Sequence, residues 1–112
     1  PQNTSVHDIT PKAAIFQVLK QIPKGKVVTY GQLASLAGLG KAARYAGTTL
    51  KNLPHDSQLP WHRVVNSQGR ISFPSNHPNY QTQADRLSED GVVIVNQKID
   101  LKYYQWKPEE HA

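Results

Sequence analysis

Two short helical runs meet at Gly38-Leu39-Gly40, and that break limits the architecture more than any other stretch of the chain. Before it, Thr29 with Gln32 three residues later has the form of a capping box, opening a helix through Leu33, Leu36 and Ala37. After it, a helix over about 41 to 52 carries Ala43, Ala46, Gly47 and Leu50 as an inward face of small residues. Paired glycines end the first run and turn the chain, which is the sequence form of a helix-turn-helix. In many proteins the second helix of such a pair enters a nucleic-acid groove; in others the pair is a plain structural unit. The pattern alone leaves both open.

The flanking chain is predicted from its punctuation. Residues 1 to 8 show no periodic apolar signal and read as a loose end. Thr10-Pro11 supplies an N-cap and a first-turn proline for a helix over about 11 to 21, which stops before Pro23. Val27 to Thr29 is an extended lead-in, and residues 53 to 59 are a polar connector. Arg63-Val64-Val65, Asn66 to Gly69 and Arg70-Ile71-Ser72 read as strand, turn and strand, a small β-hairpin. A proline-bounded loop over 73 to 78 leads to a last helix at about 79 to 89, capped by Gly91, with Val92 to Val95 leaving it extended. Leu101, Tyr103, Tyr104 and Trp106 form an aromatic tail, expected to pack on the core. The expectation is one mainly α domain, 1–112, with a small β-hairpin in a winged-helix-like arrangement and a tail from 96 to 112.

Charge narrows the partner. Nine of the 13 Lys and Arg precede residue 71, whereas six of the 8 Asp and Glu follow residue 84, so the basic surface belongs to the first two thirds. With a formal charge of +5, that asymmetry favours a polyanion. The chain has no cysteine, which excludes disulfides and thiolate nucleophiles. No apolar run reaches a membrane span and no signal-peptide segment is evident, so a soluble, cytoplasmic monomer without membrane contact is expected. His7, His55, His77 and His111 lack ligand spacing, and neither a phosphate loop nor a Ser-His-Asp set occurs; no metal, cofactor or catalytic residue is expected.

Pro60-Trp61-His62-Arg63-Val64 resembles the Pro-Cys-His-Arg-Val motif of O6-alkylguanine-DNA alkyltransferases, with tryptophan in the place of the alkyl-accepting cysteine. Upstream, Val28-Thr29-Tyr30-Gly31-Gln32-Leu33-Ala34 and Ala42-Ala43-Arg44-Tyr45-Ala46-Gly47 resemble that family's DNA-binding helix-turn-helix, in the family's order. Over roughly residues 10 to 95 the chain is therefore similar to the alkyltransferase-like proteins, non-catalytic relatives that bind alkylated guanine. The resemblance implies the fold of the alkyltransferase C-terminal domain. It also implies a sensor of O6-alkylguanine in duplex DNA that docks its helix-turn-helix in the minor groove and flips the nucleotide. Such a protein blocks methyltransferase repair and hands the lesion to nucleotide excision repair proteins.

The same resemblance distributes roles. Tyr30 would crowd the target phosphate, and Arg44, fourteen residues on, would fill the gap left in the base stack. Extruding a base costs a few kcal/mol, and a planar guanidinium suits the vacancy because it stacks and donates hydrogen bonds. Ala43 and Gly47 would let the helix backbone approach DNA; Lys41 and Lys51 would meet phosphates, as would Thr48 and Asn52, although Asn52 has a second reading as support for the turn before Trp61. Trp61 has no nucleophilic atom but offers a large face, and a base stacked on an aromatic gains about 1–3 kcal/mol. His62, which in the enzymes helps deprotonate cysteine through a water and a glutamate, is here structural or a pocket hydrogen-bonder; Arg63 braces the fold beside the pocket. Asp90, with Glu89 beside it, stands where the enzymes have that glutamate, and Ile71-Ser72-Phe73-Pro74-Ser75 replaces their Gly-Tyr-Ser-Gly-type loop, so Ser72 and Phe73 would line an altered pocket.

Two other readings fit parts of the pattern. A helix-turn-helix transcriptional regulator would bury Trp61 in its core and read bases with the second helix. A residual hydrolase would activate water with His62.

Overall fold

The computed structural model describes residues 9–54 and 56–108, so the expected loose end at 1–8 lies outside the described residues, as does the end of the tail. Helix α1, Pro11–Gln21, starts where Thr10 caps it, its hydroxyl accepting from Ala13 N at 3.1 Å. It buries Ile15 and Leu19. The chain then runs through strand β1, Val28–Thr29, directly into helix α2, Tyr30–Leu36, with Thr29 serving as the last strand residue and as the N-cap that accepts from Gln32 N. Gly38 and Gly40 take φ values of +80° and +65°, a left-handed backbone that ends α2 and turns the chain toward helix α3, Ala43–Lys51. The helix-turn-helix forms as expected.

The strand pairing differs from the expected hairpin at 63–72. Val64–Val65 is strand β2, and it pairs in parallel with β1, Val28 opposite Val64 and Thr29 opposite Val65. The Asn66–Gly69 turn does form, with Asn66 N donating to Arg70 O at 2.9 Å and the Asn66 side-chain oxygen accepting from Gln68 N and Arg70 N. Beyond that turn residues 70–72 form no second strand, and the strand that pairs with β2 is β1. The antiparallel hairpin lies later: β3, Ile94–Val95, pairs with β4, Lys98–Ile99, across a two-residue turn in which Asn96 and Gln97 both have positive φ. Between the two sheets helix α4 runs Pro78–Glu89, capped by His77, and after β4 a one-turn helix α5 spans Leu101–Tyr104.

The parallel pair divides the interior. Successive strand residues point to opposite faces, so Val28 and Val64 join Ile15, Leu19, Ile22, Leu33, Ala34 and Ala46 beneath the helix-turn-helix. On the other side Val65, with neighbouring Val27, joins Ile71, Leu87, Val92 and Ile99 beneath α4 and the hairpin. Trp106 N donates to Val27 O and Val27 N to Tyr104 O, tying residues 104–106 to the chain beside β1. Two cores flank one ribbon. Because β1 leads into α2 and β2 emerges from the Trp61 segment, their register fixes Tyr30 relative to Trp61.

Candidate nucleic-acid interface

Trp61–Arg63 form a single 3-10 turn, and the turn sends its side chains in different directions. Trp61 is half-buried and belongs to neither core. Its ring meets Phe73 edge-on, centroids 6.2 Å apart and planes at 84°, and the Arg86 guanidinium lies 5.5 Å above it. Phe73 is in turn stacked on His77 at 4.9 Å.

Between this aromatic wall and the helix-turn-helix lies a cleft of about 710 Å³, predominantly apolar. Of the residues singled out in the sequence, Tyr30, Ala43, Arg44, Gly47, Thr48, Lys51, Trp61, Ser72 and Phe73 line it. Tyr30 packs its ring along α3, so that a Cβ placed on Gly47 would sit 3.8 Å from it. Ala43, Arg44, Thr48 and Lys51 are exposed, leaving this face of α3 open to a partner. Lys41 and Asn52 are exposed near the ends of α3 without lining the cleft.

His62 and Arg63 do not line it. Both turn to the opposite side of the segment, where His62 Nε2 lies 2.9 Å from Asp90 Oδ2 and Arg63 grips the same carboxylate through Nε at 2.7 Å and Nη2 at 3.2 Å. Arg63 Nη1 also donates to Ile22 O at 2.9 Å, linking the cluster to the end of α1. Burial pushes the His62 pKa below its usual 6.5 and outweighs the opposing pull of Asp90. Burial pushes Asp90 up, but the hydrogen bonds and charges of Arg63 and His62 together hold its carboxyl below the usual 3.8. At neutral pH the cluster is thus a neutral imidazole donating from Nε2, a carboxylate and a guanidinium, while His62 Nδ1 is buried without a hydrogen-bond partner among the described residues.

Residues 10–92 match the family model described as the DNA binding domain of 6-O-methylguanine DNA methyltransferase. The chain belongs to that family. The DNA base-flipping protein of Vibrio parahaemolyticus is 47% identical over 95 residues, 84% of this chain and 93% of the relative. A protein of the same name from Escherichia coli is 46% identical over 82% of this chain and 70% of its own length. Among solved structures, Schizosaccharomyces pombe Atl1, crystallised with damaged DNA containing O6-carboxymethylguanine, superposes with a TM-score of 0.81 at 39% identity, covering 88% of this chain and 95% of that one. Within the methyltransferase family the chain is an alkyltransferase-like member, with Trp61 where the acceptor cysteine would stand.

Two residues of this family member escaped sequence reasoning. Gln83, fully buried on α4, donates from Nε2 to the carbonyls of His62 at 3.0 Å and Val64 at 2.9 Å. Arg86 lies one turn further along the same helix, over Trp61. With Asp90 they sit at i, i+3 and i+7, a polar stripe on a helix that otherwise buries Leu87. That spacing was the available signal.

Proposed function

We propose that the protein recognises O6-alkylguanine in duplex DNA and holds it without chemistry. It lays α3 and the start of α2 in the minor groove and receives the extruded nucleotide in the cleft beside Trp61. The carrying observation is that Trp61, at the acceptor's position in the motif, shares an open apolar cleft with Tyr30 and Arg44. Arg44, exposed on α3, takes the vacated place in the stack; Tyr30 crowds the phosphate; Lys41 and Lys51, with Thr48 and Asn52, hold the flanking backbone. Ala43 and Gly47 keep the helix low against the groove. Trp61, Phe73 and Ser72 line the pocket, and His62 and Arg63 act on it only through the backbone they brace.

The relatives support this reading, since two carry base flipping in their names and Atl1 was crystallised on alkylated DNA. Held but unrepaired, the lesion is closed to methyltransferases and passed to nucleotide excision repair proteins. The place of action is intracellular, on DNA; among the described residues no helix is long and apolar enough to cross a membrane. A transcriptional regulator would bury Trp61, which neither core contains. A hydrolase needs a base facing the cleft, and His62 faces Asp90.

The test is equilibrium binding to one short duplex carrying guanine or O6-methylguanine at a single site, for the parent and Arg44→Ala. Tighter binding to the lesion is expected, reduced at least about tenfold, or roughly 1.4 kcal/mol, in Arg44→Ala. The recovered DNA should be unchanged by mass. Equal affinity for the two duplexes would sink the proposal.

A further inference from the structure

Trp61 has a second cavity behind it. A chamber of about 460 Å³ shares Leu50, Lys51, Trp61 and Phe73 with the cleft and is otherwise walled by residues 53–54, by His77 and by Asn79, Thr82 and Arg86 along α4. Its polar lining is one-sided. Lys51, His77 and Arg86 contribute to it, and among the described residues no carboxylate does. His77 accepts from Asn79 N through Nδ1, which leaves its proton on Nε2 and makes that atom a donor. Arg86 forms no ion pair and donates no hydrogen bond among the described residues, and the carboxylate of Asp90, one turn on, is held by Arg63 and His62. An uncompensated guanidinium over an aromatic, beside a further cation and a neutral donor, is a receptor for an anion.

We infer that this chamber selects O6 substituents that end in a carboxylate, with Arg86 as the specificity-determining residue. The inference rests on the proposed lesion cleft. The nucleobase occupies the cleft, and its O6 substituent is directed at the Trp61–Phe73 edge shared by the two cavities, so that its charged end lies toward Arg86. Neutral substituents of equal length gain the volume but not the charge. The phosphates flanking the lesion repel a carboxylate, so preference for the charged form requires a local positive wall.

The experiment compares two isosteric lesions in one duplex, O6-carboxymethylguanine and O6-carbamoylmethylguanine, alongside O6-methylguanine and guanine. The parent is expected to bind the carboxylate more tightly than the amide by about three- to tenfold at low salt, the range spanned by a partly exposed and a hydrogen-bonded ion pair. Arg86→Gln should abolish that ratio, and Arg86→Lys should keep most of it. Raising salt should shrink it in the parent, a readout independent of any variant's folding. Equal binding of carboxylate and amide by the parent overturns the inference, as does a ratio that survives in Arg86→Gln or ignores salt. An equal loss on all four duplexes in Arg86→Gln makes Arg86 a backbone-phosphate contact and also overturns it. Failure to prefer O6-methylguanine over guanine would instead remove the lesion cleft itself.

Discussion

The two sides of the Trp61–Arg63 turn are built on opposite principles. Toward the helix-turn-helix the segment presents an aromatic ring to an open, largely apolar cavity whose far wall is Tyr30 and α3. Toward α4 it presents a histidine and an arginine, both locked on one carboxylate with nine-tenths of that side chain buried. The residues are consecutive, so the difference comes from what the fold places opposite each of them. One side is left open. The other is satisfied internally, and the elements that would serve proton transfer in an enzyme serve here as a clamp between α1, the turn and α4.

That contrast is open to breakage, and the largest expected effect is on the clamp. Asp90→Ala leaves the Arg63 guanidinium buried and unpaired, which should cost about 3 kcal/mol or more in urea unfolding. Below the transition, the folded protein should still discriminate the lesion. A variant of full stability that has lost discrimination would show that the clamp acts on the ligand directly.

Trp61→Ala probes the other side. Lesion preference should fall by roughly 1–3 kcal/mol through lost stacking, while the unfolding midpoint moves much less than in Asp90→Ala, since Trp61 belongs to neither core. A large stability loss with preference intact would make the tryptophan structural.

The smallest effect sharpens the contrast through pH. Because His62 has a lowered pKa in the folded protein, the unfolded chain binds more protons than the folded one as pH drops below 6.5. Stability should therefore be full above that value and decline on acidification, with Asp90 adding a further loss below 3.8. Denaturant midpoints followed from pH 7.5 downward should show this slope in the parent and lose its upper part in His62→Asn; a midpoint flat between roughly pH 6.5 and 5 would contradict a neutral buried imidazole.

Much of the scaffold was legible because local chemistry dictated it. Thr10-Pro11 and Thr29-Tyr30 sit at helix starts, and Gly38 and Gly40 fall where the backbone must turn left-handed. The strand pairing was not legible. Val64–Val65 and the Asn66–Gly69 turn have every local feature of a hairpin's first half, yet the partner is Val28–Thr29, 36 residues upstream, and nothing local encodes that register. The true hairpin was hidden because its turn uses Asn96-Gln97, and glutamine at positive φ gives no turn signal. At the site, the motif residues located the Trp61 turn, but which of them share a cavity depended on side-chain direction. A 3-10 turn settles that only once its neighbours are in place.

Gln83 holds this turn by two carbonyls, those of His62 and Val64, and touches no side-chain atom of the segment through those bonds. A grip on the main chain is indifferent to what projects from it. Position 61 therefore behaves as an interchangeable fitting on a fixed mount. One substitution there can change what the turn presents to the cleft while leaving both of the bonds that hold the turn in place.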